Sequence, residues 1–475
     1  MNEQKTLPKN ATTSASKGWL ERLGLFGLAS IEAPLLAALV TQNPLLLIGV
    51  HGTAKSLLLT RVAAALGLDF RHYNASLLNF DDLVGFPLPS KDGKLEYVGT
   101  PASIWGAGAV IFDEISRCRP DIQNKLFPII HECRVQGISL EGLRYRWAAM
   151  NPPSTDEDEN GYAGSEPLDA ALADRFAFVV EMPTWAQFTP AQQLAVIRAI
   201  ETPIQTEDAQ FLSDAINRTR RMLEMLQDSF ADGAASYVQT VVALLAQAGL
   251  VLSPRRTNLL YRGVLAVNAA ALAIDSHADA SEATLCALRS GLPQRAQGIP
   301  ISELKLLTAH REAFKTTRLV QDDPLRAILC ASGPLEKFKL AIKTTGLSKE
   351  DFSTVVADVL AQLPSGEREA VVVHLFETGS VGRLHAAIAT QAAELYRGVA
   401  VPPPCQEHLH EANLVFTTWD RIKDLRSRLD PRDSRAQLQA NAIASLFARQ
   451  QLDTPDDAER AFAAFADADR MLRAA

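Results

Sequence analysis

The sequence predicts an α/β fold with a central parallel sheet, followed by regions built from helices alone. From residue 19 to about residue 183, short apolar runs alternate with helical patterns, which is the order of a parallel βαβ sheet. A turn containing glycines joins the first apolar run to the helical pattern after it. Beyond Pro183 the strand pattern nearly disappears, and Ala, Leu, Gln and Arg recur at helical spacing.

Five strands are predicted in the first part of the chain, at residues 45–50, 70–74, 110–112, 146–150 and 176–181. The first contains an unbroken apolar run, Leu-Leu-Leu-Ile, as expected for a parallel strand that is covered on both faces. Helical spacing predicts helices at 56–66, 191–200, 209–226 and 235–245.

The length predicts several domains, because 475 residues exceed what one hydrophobic core usually fills. We assign 1–18 to a flexible tail, 19–185 to the sheet-containing core, 186–312 to a helical lid and 313–475 to a helical accessory region. Three consecutive prolines, 402–404, predict a hinge in the last region.

The composition predicts a cytoplasmic protein without a membrane span. Apolar residues make up 47% and charged residues 21%, and the formal net charge is −8, which argues against sequence-independent binding of nucleic acid. The five cysteines form no Cys-x-x-Cys pair, so neither a disulfide framework nor a structural zinc site is expected. The N-terminus lacks the apolar stretch of a secretory signal, and the apolar region at 33–50 is interrupted by polar residues and Pro44.

Residues 49–56 have the pattern of a phosphate-binding loop, since they follow a strand and precede a helix. Glycines let the backbone turn tightly and point its amides at phosphate oxygens, the lysine would reach the β- and γ-phosphates of ATP, and the serine would bind Mg²⁺. The eight residues are Gly49, Val50, His51, Gly52, Thr53, Ala54, Lys55 and Ser56. An ordinary strand-to-helix turn is the alternative, and Ala54, where glycine is usual, weakens the motif.

Two acidic residues, Asp113 and Glu114, end the apolar strand at 110–112. Ligands bind at the carboxyl edge of an open parallel sheet, so Asp113 suits a Mg²⁺-associated ligand and Glu114 suits the base that activates water. The alternative is an acidic helix N-cap, which is less attractive beside a phosphate-binding loop.

Three further polar residues are candidates for catalysis. Asn151 follows the strand at 146–150, where its amide could hold the hydrolytic water; a turn-forming Asn before two prolines is the alternative. Arg175 and Arg255 could each neutralise charge on the transferred phosphoryl group, although either could equally be a surface or salt-bridge arginine.

In this order, the motifs resemble those of the MoxR family of AAA+ ATPases, in the helix-2-insert group that includes magnesium-chelatase ATPase subunits. The resemblance covers residues 31–314. Besides the loop, it rests on NFDDLVG (79–85), GTP (99–101), FDEISR (112–117), QNKL (123–126), MNP (150–152), DRF (174–176), SPR (253–255) and the pair His310-Arg311.

The resemblance implies ATP hydrolysis with Mg²⁺ in a ring, commonly a hexamer. Asn151 then corresponds to sensor 1, Arg175 to the finger that reaches a neighbouring subunit's nucleotide, and Arg255 to sensor 2. Segments 85–99 and 134–146 correspond to the insertion hairpins, which either contact substrate or are passive surface. Members typically remodel a protein client beside a partner with a von Willebrand factor A domain. His51 and Ser116 depart from the family's usual residues, and neither departure removes a hydrolytic group.

Two other functions stay open at this stage. An ATP-binding scaffold with little turnover would assemble with nucleotide and serve as an interaction platform. A DNA-associated motor would be stimulated by DNA, which the acidic composition disfavours.

Overall fold

The computed structural model describes residues 18–89, 92, 95–153, 165–200, 202–319, 323–331, 333–401 and 413–474. The predicted tail up to residue 17, the acidic run at 156–159 and the prolines at 402–404 lie outside the described residues. The chain divides into two compact units: the residues up to Val238 with Val251–Thr317, and Gln239–Leu250 with Arg318–Ala475. The first unit holds both the predicted core and most of the predicted lid.

The strands have the following bounds: β1 Leu45–Ile48, β2 Phe70–Asn74, β3 Phe86–Pro89, β4 Leu95–Val98, β5 Ala109–Asp113, β6 Arg134–Val135, β7 Ile138–Ser139, β8 Tyr145–Met150 and β9 Phe178–Glu181. Five of them form one parallel sheet in the order β2-β5-β8-β1-β9. This confirms the α/β fold class and the five predicted strands, which differ from the prediction by no more than two residues at an end.

The helices have the following bounds: α1 Trp19–Arg22, α2 Glu32–Thr41, α3 Lys55–Ala65, α4 Phe80–Val84, α5 Pro120–Glu132, α6 Ala170–Ala173, α7 Pro190–Ile197, α8 Thr206–Ser229, α9 Ala231–Gln247, α10 Pro254–Ile274, α11 Ala280–Ser290, α12 Glu303–Lys315, α13 Pro324–Leu329, α14 Pro334–Lys343, α15 Lys349–Gln362, α16 Glu367–Glu377, α17 Ala386–Ala400, α18 Asn413–Ser427, α19 Ser434–Ala448 and α20 Pro455–Arg473. Among the described residues after Glu181 there are helices but no strands, as the sequence predicts.

The core of the first unit lies between the sheet and the helices that cover it. Phe112 and Met150 of the sheet are fully buried in one cluster with Leu126 and Ile129 of α5. Helix α10 packs against α2, α8 and α11. Among the described residues α10 alone is long and apolar enough to cross a membrane, and half of that stretch is buried within the structure, as in a core helix.

The first unit contains two small hairpins. Strands β3 and β4 pair antiparallel, as do β6 and β7, which matches the predicted hairpins at 85–99 and 134–146. Gly85 precedes β3 with φ +88°, and a Cβ there would lie 2.2 Å from the Val98 carbonyl oxygen, so only glycine fits.

The second unit is helical. Helices α14–α17 enclose an apolar cluster that includes Phe338, Phe352 and Val372, each fully buried. Arg435 of α19 pairs with Glu377 and with Asp469, and Asp469 also pairs with Arg473. These ion pairs join α16, α19 and α20.

Candidate nucleotide site

The phosphate loop has the strand–turn–helix geometry that its sequence predicts. Strand β1 ends at Ile48, and α3 begins at Lys55. A Cβ on Gly49 would lie 2.7 Å from the Cβ of Met182, so glycine is required there. Gly52 has φ +76° and Ala54 has φ +60°. Ala54 therefore adopts a left-handed conformation that costs an L-residue about 1–2 kcal/mol, which explains why glycine is the usual residue at this position.

Lys55 connects the phosphate loop to Asn151. Its side chain is buried, and Nζ donates to the carbonyl oxygens of Gly49 at 2.7 Å and Val50 at 3.0 Å and to Oδ1 of Asn151 at 3.2 Å. Burial lowers the pKa of Lys55, and the charges of Asp113 and Glu114 oppose that shift. The nearby carboxylates thus favour the charged form of Lys55, which is the form that binds phosphate.

Asp113 is held at the end of β5 by groups that stabilise its charge. Its Oδ2 accepts a 2.5 Å hydrogen bond from Ser56 Oγ and lies 3.4 Å from Nε2 of His72. Burial raises the pKa of Asp113, but hydrogen bonds from His72, Ser56 and the Glu114 amide outweigh it, so the net pKa lies below its ordinary value. Ser56 and Asp113 therefore offer hard oxygen ligands, and Mg²⁺ commonly takes one or two protein ligands plus substrate phosphates.

His72 was not among the residues predicted from the sequence. It lies in β2, and β2 pairs with β5 in parallel, with Asn74 opposite Asp113. The contact depends on the order of the strands, because 40 residues separate His72 from Asp113 in the chain and nothing local shows that β2 and β5 are neighbours.

Glu114 projects from a left-handed backbone position, with φ +55°. Its Oε2 is buried without a hydrogen-bond partner and lies 3.1 Å from Nε of Arg117, an ion-pair distance without hydrogen-bond geometry. Unusual backbone conformations of non-glycine residues concentrate at functional sites. Behind Glu114, Ser165 Oγ donates to the carbonyl oxygen of Asn151 and to Ser116 Oγ, both at 3.2 Å, so Ser116 supports the site although it replaces the usual asparagine.

Arg175 and Arg255 lie at the opposite end of the sheet from the phosphate loop. Arg175 precedes the first residue of β9, and β9 runs parallel to β1, whose last residue leads into the loop. A four-residue strand spans about 10 Å. The structure therefore does not bring these two arginines together with Lys55.

The two arginines lie near each other. Arg175 Nη1 donates to the carbonyl oxygen of Ala171 at 2.5 Å, and its guanidinium lies 4.5 Å from the ring centre of Phe127. Arg255 Nη1 lies 3.9 Å from Asp174 Oδ2, next to Arg175 in the chain. The pKa of His131, in the last turn of α5, is lowered by burial and then by the positive charges of Arg255 and Arg175.

Arg256 is a second residue that the sequence reasoning missed. It is fully buried, with its Nε 3.3 Å from Asp174 Oδ1 and its Nη2 donating to the carbonyl oxygens of Phe176 at 2.7 Å and Asp174 at 2.9 Å. Burial lowers its pKa to about 10 against the opposing effect of Asp174. Arg256 is thus the anchor of α10 on the segment before β9, which leaves Arg255 as the exposed member of the pair.

His310, part of the predicted His-Arg pair, is also structural. Its Nδ1 lies 3.0 Å from the Tyr237 hydroxyl and its Nε2 lies 3.0 Å from Ser281 Oγ, and the residue is buried in the first unit. Burial lowers its pKa. His51 of the phosphate loop, by contrast, is exposed.

A cavity of about 870 Å³ adjoins the phosphate loop within the first unit. Its walls come from the segment before α2, the loop itself, the chain after β9, and the turn between α11 and α12. The lining residues include Gly27, Ser30, Gly49, Val50, Met182, Gln187, Gln192, Arg295 and Ile299. This size and mixture of apolar and polar lining suit a bound nucleotide.

The sheet, the loop and the acidic pair at the carboxyl edge have the arrangement of a P-loop nucleotide-binding domain. Residues 44–176 match the family model described as the AAA domain of the dynein-related subfamily. That match includes every proposed site residue from the phosphate loop to Arg175; Arg255 lies beyond it.

Two known proteins are similar to parts of the chain. The protein YeaC of Bacillus subtilis strain 168, described as uncharacterised, is 28% identical over 194 residues, which make up 39% of this chain and 58% of YeaC. The match thus spans little more than half of that relative's length. The crystal structure of a candidate ATPase from Cytophaga hutchinsonii ATCC 33406 is 20% identical and covers 62% of this chain and 92% of its own, with a TM-score of 0.43. A TM-score at that level adds nothing about function.

Proposed function

We propose that the protein is an ATP-hydrolysing AAA+ motor of the MoxR type, whose active sites are shared between neighbouring subunits of a ring. One observation carries the proposal: Lys55, Ser56, Asp113 and Asn151 meet at the carboxyl edge of the sheet, while Arg175 and Arg255 lie together at the other end. Arginines so placed can serve a nucleotide only in another copy of the chain.

Within one subunit, each of these side chains has a separate role in ATP hydrolysis. Lys55 would bind the β- and γ-phosphates, and Ser56 and Asp113 would hold Mg²⁺, which would neutralise phosphate charge. Glu114, whose Oε2 has no hydrogen-bond partner, accepts a proton from the attacking water. Asn151, in contact with Lys55, orients that water, so movement of the lysine onto phosphate also changes the hydrogen bonding of the amide.

Arg175 and Arg255 complete the neighbouring subunit's site. Arginine supplied in this way neutralises charge on the transferred phosphoryl group and is worth about 10³–10⁵ in rate. Arg175 follows Asp174 directly in the chain, Arg255 Nη1 lies 3.9 Å from the Asp174 carboxylate, and Asp174 also anchors α10 through Arg256. Loss of the γ-phosphate from the neighbouring subunit's site would therefore be transmitted to the lid through this segment.

A mixing experiment tests the shared site. Lys55→Ala removes a subunit's own phosphate contact but keeps its arginines, whereas Arg175→Ala keeps the phosphate loop and removes the finger. Each variant alone should lose almost all steady-state ATP hydrolysis. An equal mixture should recover activity at about a quarter of the interfaces, because a Lys55→Ala subunit can supply the arginine to an Arg175→Ala neighbour.

The control mixture combines Lys55→Ala with Glu114→Gln. Both substitutions damage a subunit's own site, so no interface of that mixture is complete and no activity should return. Recovery in the control, or none in the test mixture, would exclude sites shared through Arg175. A wild-type rate equal to that of Glu114→Gln would instead favour a scaffold with little turnover.

The client-remodelling role and the von Willebrand factor A partner rest on the family resemblance and on the two hairpins. Phe86, Leu88 and Val98 of the β3–β4 hairpin are about half exposed, and Tyr97 bonds through its hydroxyl to Gln136 of the second hairpin at 2.8 Å. We expect a von Willebrand factor A protein encoded beside this gene to stimulate hydrolysis. Phe86→Asp should abolish the stimulation without changing the basal rate of ATP hydrolysis. Equal stimulation of the wild type and the Phe86→Asp variant would exclude a role for the hairpin.

A further inference from the structure

The cavity beside the phosphate loop contains an arginine that the proposed hydrolysis residues do not include. Arg295 ends the short 3-10 turn Pro293–Arg295, between α11 and α12. It lines the same cavity as Gly49 and Val50. Its side chain is 17% exposed, its Nε is buried without a hydrogen-bond partner, and its Nη1 pairs with Oε2 of Glu181.

Glu181 fixes this ion pair at the catalytic edge of the sheet. It is the last residue of β9 and is in register with Ile48, the residue immediately before Gly49. Arg295 therefore lies on the same side of the domain as the chain's own phosphate loop. Arg255 lies at the other end, whereas Arg295 is placed to act within its own subunit.

The Glu181–Arg295 pair is open to competition. The Glu181 side chain is 53% exposed, and ion pairs in contact with solvent contribute little, about 0–1 kcal/mol. A polyphosphate carries more charge than one carboxylate, and guanidinium groups bind phosphate oxygens with two parallel hydrogen bonds. A nucleotide in the cavity can therefore displace Glu181 from Arg295.

We propose that Arg295 binds the phosphates of the nucleotide held in its own subunit, and that Glu181 is its exchange partner. The inference rests on the proposed ATP-binding function and adds a nucleotide-binding residue to it. Ile299, Pro300 and Ile301 follow in the chain and line the same cavity. Arg295 would pair with Glu181 in the empty site and with phosphate in the occupied one. The segment joining α11 and α12 thus responds to whether a nucleotide is bound.

The two partners predict opposite effects on affinity. In a Glu114→Gln background, which suppresses turnover, equilibrium binding of ATP with Mg²⁺ is measured for Arg295→Met and Glu181→Gln. Loss of the arginine should weaken ATP binding about tenfold or more, since it removes a charge-assisted contact. Loss of the carboxylate should tighten ATP binding by about two- to fivefold, because the competing ion pair is gone. A variant that merely misfolds cannot bind more tightly, so Glu181→Gln tests the idea independently of Arg295→Met.

Matched controls separate this proposal from the proposed function. Arg289→Met removes another ion pair of the same helical region, Arg289–Glu303, and should leave ATP affinity unchanged. If Lys55→Ala abolishes binding while both test variants match the parent, ATP binding stands and the role of Arg295 is refuted. Parallel losses in the two test variants would make the pair purely structural and refute it as well. An equal loss of adenosine binding in Arg295→Met would assign the arginine to the base and refute the phosphate contact. Failure of the parent protein to bind ATP would refute both proposals.

Discussion

Substitution of Arg256 by methionine should unfold the first unit at much lower denaturant concentration. The guanidinium donates or pairs at 2.7–3.4 Å with Asp174, Ala173, Phe176, Ala177 and Gly291, and the residue is fully buried. Methionine keeps the apolar stem but leaves the Asp174 carboxylate without its buried partner and several carbonyls without donors. Removal of one partner from a buried pair costs about 3–5 kcal/mol.

The measurement is urea denaturation followed by tryptophan fluorescence. The chain has five tryptophans, and in a Trp419→Phe background the remaining four, at positions 19, 105, 147 and 185, all belong to the first unit. The expected loss lowers the urea midpoint by about 1 M or more.

Arg255→Met is the matched control for Arg256→Met. Its side chain is 44% exposed and lies 3.9 Å from the same Asp174, so it should cost less than about 1 kcal/mol. The reasoning is refuted if Arg256→Met costs less than about 1 kcal/mol, or if the two adjacent substitutions destabilise equally.

Three further predictions concern other parts of the chain. Glu32 is buried and accepts a 2.9 Å hydrogen bond from the Leu20 amide. Burial raises its pKa from 4.5 to about 7. The free energy of unfolding therefore falls as the pH rises above 4.5, and the loss is complete above about pH 7. Glu32→Gln should therefore add up to about 3 kcal/mol of stability at pH 8 and nothing at pH 4, and equal curves at both pH values would contradict this. Gly366→Ala should destabilise the second unit several times more than Gly379→Ala, as measured by Trp419 fluorescence. A Cβ at position 366 would lie 2.2 Å from the Ala461 carbonyl oxygen, whereas a Cβ at position 379 has no atom within 4 Å. Similar losses of stability in the two variants would count against the clash. Ala54→Gly should stabilise the first unit by about 1 kcal/mol and so raise its melting temperature slightly, because glycine adopts the left-handed conformation freely. A lower melting temperature would show that the methyl group contributes packing.

Local sequence pattern was sufficient for the secondary structure and for the residues of the phosphate loop. Continuous apolar runs identified the buried parallel strands, and Gly49, Lys55 and Ser56 carry chemistry that depends on their spacing within one strand–turn–helix unit. The acidic pair Asp113 and Glu114 was recognisable for the same reason, since a charge directly after a buried strand needs a partner.

Contacts between distant segments were not predictable from one sequence. His72 reaches Asp113 only because β2 and β5 are neighbours, and no property of a histidine in a strand indicates which strand lies beside it. Arg255 and Arg256 are adjacent and have the same chemistry. They differ only in their place on α10, because Arg256 is buried against the segment before β9 and Arg255 is exposed.

The sequence alone was sufficient to predict the α/β class, the order of strands and helices along the chain, and an eight-residue loop with the pattern of a phosphate-binding turn. These depend on periodicity and on interactions within a few residues. Only the tertiary structure shows which polar groups share an edge of the sheet, that Arg175 and Arg255 lie away from the phosphate loop, and that Arg295 lies beside Glu181 in the cavity that adjoins the loop. Such placements follow from strand order and helix packing, which sum many weak contacts between segments far apart in the chain.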